Sequence, residues 1–135
     1  MHRVVIDTNV LISSRLSKYG IPARIMDLIV DEKIELCYSL EILDEYKRVL
    51  AYEKLKFDVK KQRATINEIK EIGILINPAR SDVPFDRDKS DRIFYDTAKE
   101  SGAILITGNM KHYPQENFIM LPSEYIRFYE RQVLF

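Results

Sequence analysis

One stretch constrains the fold of this chain more than any other: Val4-Val-Ile-Asp-Thr-Asn-Val-Leu-Ile12. Three branched apolar residues, then a carboxylate, a hydroxyl and an amide, then three more apolar residues read as a buried strand whose polar end opens into a site. If that strand is internal and parallel, Asp7 lies at its carboxyl end, where open α/β sheets place their ligands. The question for the rest of the chain is whether other acids return to that edge.

The pattern after it alternates. Ser13 to Gly20 is polar and reads as loop or a helical turn, and a helix follows over about residues 22 to 32, with Pro22 in its first turn and Ile25, Leu28 and Ile29 at helical spacing. Ile34 to Tyr38 reads as a second strand. Ser39 then caps a helix over residues 40 to 53, whose apolar residues Ile42, Leu43, Tyr46, Val49 and Leu50 keep helical period and leave Glu41, Asp44, Glu45 and Arg48 on or beside the polar side. A further helical pattern through Val59, Ile66 and Ile69 runs to Glu71 and is ended by Gly73. Ile74 to Ile76 reads as a third strand, stopped by Asn77-Pro78, and residues 78 to 90 as loop. Asp91 begins a helix with Ile93, Phe94, Thr97 and Ala98 inward and Gly102 as its stop. Ala103 to Thr107 and Phe118 to Leu121 are the remaining strands, and a last amphipathic helix follows from Pro122, using Tyr125, Ile126 and Tyr129. Strands alternating with helices predict a three-layer α/β domain with a mainly parallel sheet.

Composition narrows the class. At 135 residues the chain suits one domain, spanning 1–135, with a real core. Lys plus Arg and Asp plus Glu are both 21, so net charge does not announce a nucleic-acid binder. Cys37 is the only cysteine, which excludes an internal disulfide and fits a reducing cytoplasm. The first 20 residues hold Asp7, Arg15 and Lys18 and no long apolar run, so neither a signal peptide nor a membrane span is expected.

In a parallel sheet the carboxyl ends of the strands share one edge with the amino ends of the helices that follow them. Asp7, Asp91 and Asn109 therefore converge, and Glu45 reaches the same edge if its helix leans over it. Carboxylates gathered without a cation repel, so they are either partly protonated or hold a metal. Oxygen ligands with no His or Cys cluster favour Mg²⁺ or Mn²⁺. Such an ion lowers the pKa of a bound water and stabilises the oxyanions of a phosphodiester displacement. Singly, each residue has a plainer reading: Asp7 as a turn residue, Asp91 as a helix cap, Glu45 as a solvated acid paired with Arg48, and His112 as structural.

Asp7-Thr-Asn9, Ser39 with Glu45 six positions on, Asp91-Arg-Ile-Phe94 and Thr107-Gly-Asn109-Met-Lys-His-Tyr-Pro114 together resemble PIN-domain ribonucleases, and more closely the branch of toxin components of toxin–antitoxin systems. The resemblance runs from Val4 to about Pro114. It implies an α/β/α fold with a five-stranded parallel sheet in the order 3-2-1-4-5, a Mg²⁺- or Mn²⁺-binding acidic site, RNA as substrate, a cognate antitoxin protein and a homo-oligomer, expected to be a dimer. Asp7, Glu45 and Asp91 match the family's core acids, and Thr8, Asn9, Ser39 and Thr107 the polar groups that support them. Asn109 stands where many members carry a fourth aspartate, a weaker metal ligand, and Asp88 is placed to offset it. Arg87, Lys89, Arg92 and Lys111 flank the acids and are expected to contact RNA phosphates. Two other classes compete. An aspartate-based phosphatase or phosphotransfer domain would want an acid two residues after Asp7, where this chain has Asn9; a non-catalytic protein- or RNA-binding module would keep the fold without the chemistry.

Overall fold

A computed structural model describes residues 2–81 and 89–134. Five strands form one parallel sheet: β1 (Arg3–Ile6), β2 (Glu35–Tyr38), β3 (Ile74–Leu75), β4 (Ile104–Ile106) and β5 (Ile119–Met120), in the spatial order β3-β2-β1-β4-β5. Among the described residues six α-helices cover its two sides: α1 (Thr8–Leu16), α2 (Ile21–Val30), α3 (Leu40–Leu50), α4 (Val59–Ile72), α5 (Lys89–Ser101) and α6 (Pro122–Leu134). The expected fold and strand order are both present.

The centre of the sheet explains the opening stretch. Val4, Val5 and Ile6 pair with Ile104, Leu105 and Ile106 and are fully buried, as a strand covered on both faces requires. α5 lies across β1, β2 and β4. Phe94, Tyr95, Thr97 and Ala98 are completely enclosed on it, and Asp96 is nearly so, a broader buried face than helical spacing indicates.

The connection after β1 differs from expectation. Of the residues read as loop or a helical turn, Ser13 to Leu16 belong to α1, which starts directly after Asp7, and only Ser17 to Gly20 are loop. The backbone oxygen of Asp7 accepts from the N–H groups of Val10 and Leu11 and so opens the helix. Ser14 is accommodated within it by donating its hydroxyl to the Leu11 carbonyl. The helix after β2 stops at Leu50, with Glu53–Leu55 as a separate 3₁₀ turn, and the helix before β4 begins at Lys89, so Asp91 sits in its first turn. Gly73 does end α4, and its reason is space. A Cβ there would come 2.5 Å from the Ile69 carbonyl oxygen and 2.8 Å from the Tyr38 ring.

Candidate active site

Asp7 takes the N-cap position of α1, yet its carboxylate makes no capping bond. Its backbone N–H donates to the Ile106 carbonyl at 2.9 Å, extending the β1–β4 ladder by one step. Its side chain, only 5% exposed, turns the other way. Oδ2 accepts from the Thr107 hydroxyl at 2.7 Å and from the Tyr113 hydroxyl at 3.0 Å. The Asn109 backbone N–H donates in turn to Thr107 Oγ1 at 3.0 Å, which aims the Thr107 proton at Asp7. Oδ1 has no hydrogen-bond partner among the described residues. The plain turn reading therefore does not account for its side chain, which is held as an oriented carboxylate through Oδ2.

Glu45 comes in from α3. Its side chain is 13% exposed, so it is not a solvated acid. Oε2 accepts from the Thr8 hydroxyl at 2.8 Å, and Oε1 pairs with Arg48 Nη2 at 2.9 Å, the partner expected from the i+3 spacing. Asp91 is buried in the first turn of α5, with His112 Nδ1 3.5 Å from its Oδ2.

Tyr113 joins the three acids electrostatically. Burial pushes its phenol far above the ordinary tyrosine range, and the charges of Asp7, Asp91 and Glu45 all push it further. Tyr46, whose hydroxyl donates to the Ile6 carbonyl just before Asp7, is likewise raised by burial and then by Asp7 and Glu45. Three carboxylates from β1, α3 and α5 thus act on one neighbourhood at the carboxyl edge of the sheet, where the two phenols stay protonated as donors.

The remaining expected residues divide. Thr8 and Thr107 touch the acids directly. Asn9 Oδ1 accepts from the Gly108 N–H at 3.0 Å and ties the start of α1 to the end of β4; a Cβ on Gly108 would press against that oxygen at 3.2 Å. Ser39 caps α3 by accepting from the Ile42 N–H at 3.2 Å, which places it at the sheet edge without an acid as partner. The side chain of Asn109 is exposed, and only its backbone enters the network. Lys111 is exposed on the 3₁₀ turn Met110–His112. Arg92 Nη1 donates to the Ser81 carbonyl at 2.7 Å and hydroxyl at 3.0 Å. Arg87, Asp88 and the side chain of Lys89 lie outside the described residues. Tyr113 was assigned no role from the sequence, and His112 was read only as structural, whereas it faces Asp91. Only their place in the run after Thr107 hinted at the site, since the partners of both are distant in the chain.

Whether these residues suit a cation is a question of donor chemistry. Among the described residues no three His, Cys, Asp or Glu side chains close into a ready cage. Mg²⁺ does not need one: it keeps several waters and takes one or two carboxylates plus substrate oxygens. Asp7 Oδ1, oriented through its other oxygen and without a protein donor of its own, has the character of such a ligand. The oxygen donors present fit Mg²⁺ or Mn²⁺ and not a closed zinc site.

A parallel sheet in the order 3-2-1-4-5 with acids gathered at its carboxyl edge is an α/β architecture suited to metal-assisted chemistry. The PIN domain family matches residues 3–111, and the chain belongs to it. Members of this family are generally nucleases, typically dependent on divalent metals. The chain is also 38% identical over 114 residues to the uncharacterized protein MJ1680 of Methanocaldococcus jannaschii, a match that covers 79% of this chain and 70% of that protein. No helix among the described residues is long and apolar enough to cross a membrane.

Proposed function

We propose that this chain is a Mg²⁺- or Mn²⁺-dependent endoribonuclease, folded as one nuclease domain over residues 1–135, with Asp7, Glu45 and Asp91 as its acids. What supports this reading is that acids from three distant segments meet neighbouring residues of the site: Asp7 is bonded to Thr107 and Tyr113, Glu45 to Thr8 beside Asp7, and Asp91 faces His112 beside Tyr113. When bound, a divalent cation would supply an activated water and charge stabilisation for in-line attack on an RNA phosphate. The chain's own residues do the rest. Asp7 and Asp91 would hold the cation, with Glu45 direct or through water; Thr107 and Tyr113 fix the angle of Asp7, and Thr8 and Arg48 fix Glu45. Asn109 would be at most a neutral contributor, and Ser39 and Asn9 shape the rim. Lys111, with Arg87 and Lys89, is assigned to RNA phosphates.

The resemblance to toxin components makes an antitoxin protein and a second copy of the chain the proposed partners, and the cytoplasm the proposed site of action. The phosphatase alternative is disfavoured by the position two residues after Asp7, where Asn9 is used to bind the Gly108 backbone. The test is cleavage of RNA by purified protein with Mn²⁺ and with EDTA. Asp7→Asn and Asp91→Asn should abolish cleavage while keeping the fold by circular dichroism. Retained cleavage in either variant would sink the assignment, and an inactive but metal-free-stable wild type would favour the non-catalytic module.

A further inference from the structure

α3 and α4 pack against each other, and a groove with a volume of about 370 Å³ lies on them. Lys47 of α3 and Arg63 and Lys70 of α4 line it, and no acid does. In a chain with 21 basic and 21 acidic residues this is a local segregation of charge that the total conceals. The three cations are also spare. Each is exposed, and none makes a hydrogen bond or ion pair among the described residues, whereas Arg24 and Arg48 are paired with Glu130 and Glu45.

The lining specifies the occupant. Like charges that share one space repel, so the groove favours an anion. Arg63 and Lys70 are seven residues apart, two turns, so they share one face of α4 about 10 Å apart along its axis, with Lys47 contributed from α3. A track of that length outreaches a single phosphate and suits a chain of them. Asn67, exposed between Arg63 and Lys70, adds an amide that can donate to phosphate oxygens. An acidic helix from a partner protein fits less well. Such helices hold by apolar anchors, and the apolar lining residues Leu50 and Ile66 are only 1% and 7% exposed.

We propose that the α3–α4 groove is an RNA-binding track remote from the acids, holding the phosphates of a single strand whose scissile bond lies at them. α3 carries both places. Glu45 and Lys47 are two positions apart and leave the helix about 200° apart, on nearly opposite sides. Arg48, exposed and bonded to Glu45, lies on the arc between them. The strand therefore crosses one helix, about 10 Å across, to pass from the acids to the groove. The track rests on the ribonuclease reading for its ligand. It adds affinity without sequence preference, because phosphate contacts position a strand and base contacts specify it.

The experiment measures binding by the intact protein in EDTA, apart from cleavage. A labelled single-stranded RNA of about 12 nucleotides is titrated at several salt concentrations, beside a poly-glutamate peptide of equal charge. Lys47→Gln, Arg63→Gln and Lys70→Gln together should lower the salt slope of RNA binding by about two, since each cation on a single strand contributes about 0.7, and should weaken binding about tenfold or more. Arg63→Gln alone should lower the slope by about 0.7, which keeps the test readable if the triple variant unfolds early in urea. An unchanged slope and affinity in both variants overturns the track. So does wild-type protein that binds the peptide as tightly as the RNA, which would make the groove a seat for an acidic protein. Cleavage of the same RNA with Mn²⁺ separates the two readings. Cleavage beside an unchanged slope removes the track and keeps the ribonuclease; RNA held through the three cations with no cleavage supports the track and removes the ribonuclease reading.

Discussion

The hydroxyl of Tyr113 donates to Asp7 Oδ2 at 3.0 Å, joining residues 106 positions apart in the chain. With Thr107 on the same oxygen, the bond fixes the plane of the carboxylate and leaves Oδ1 for other work. Tyr113→Phe keeps the ring and removes only that bond. A hydrogen bond to a charged group is worth about 1.5–3 kcal/mol. The variant should lose roughly tenfold or more in kcat with Mn²⁺, with KM for RNA little changed. A change in KM alone would mean that Tyr113 contacts RNA and does not orient Asp7.

Removing a charge from the acid cluster should stabilise the metal-free protein. Asp7, Glu45 and Asp91 are like charges whose contacts, Tyr113, Thr8 and His112, adjoin one another at one edge of the sheet, and gathering such charges without a cation is unfavourable. Asp91 also gains from the α5 N-terminus, where a carboxylate is favourable, and that gain is smaller when like charges crowd it. Asp91→Asn should raise the unfolding midpoint in EDTA by about 3–5 °C. It should also lose the upward shift that Mn²⁺ gives the wild type, as ligand binding to the native state requires. A lower midpoint in EDTA would show that the helix-terminus role of Asp91 outweighs repulsion.

Alkaline pH should unfold this protein early. Burial holds the phenols of Tyr46, Tyr113 and Tyr125 well above their ordinary range, and Tyr95, buried and bonded to Glu116, is pushed up to about 12. In the unfolded chain these groups ionise near pH 10, so above that pH the folded state binds more protons than the unfolded one. Their contribution is complete below pH 10 and is lost progressively from there through about 12 and beyond. Urea midpoints should be flat from pH 8 to 9.5 and fall steeply above 10, less steeply in Tyr113→Phe. A curve for that variant superimposable on wild type would place the Tyr113 phenol in a watery setting.

Lys111 should act at long range. It is exposed on the 3₁₀ turn beside His112, which faces Asp91, and its side chain makes no hydrogen bond or ion pair among the described residues. Lys111→Ala should leave urea unfolding unchanged, weaken RNA binding across sequences, and reduce the salt slope of binding by about one. An unchanged slope would place the RNA path elsewhere, with the α3–α4 side, where Lys47, Arg63 and Lys70 line a groove, as the next surface to test.

Much of this was legible because apolar runs and chain order are local. The run Val4 to Ile6 needs no partner to declare itself a buried strand, and Asp7, Glu45 and Asp91 sit where a parallel sheet must gather its strand ends. α1 was not legible. Its serines look like loop, and only the structure shows Ser14 satisfying its hydroxyl on the Leu11 carbonyl while Asp7 opens the helix with its backbone. Tyr113 was missed, and His112 read only as structural, for a different reason: an aromatic at the end of a polar run shows nothing of a carboxylate approaching from another element. Asp96 was hidden by helical spacing, which assigns it to the outer face of a helix that the sheet and the β2–β3 connections enclose more widely.

The long reach between Asp7 and its two hydroxyl partners also sets a schedule. During synthesis β1, β2 and β3 can emerge and begin to pair, but the strand that completes the centre, β4, comes after residue 103, and Thr107 and Tyr113 follow it. Until then Asp7 is a carboxylate with neither of the hydroxyls that aim it. Non-local pairings of this kind form late because the loop entropy must be met first. A nascent chain on the ribosome therefore carries its first acid unaimed until β4 and the segment that follows it have emerged.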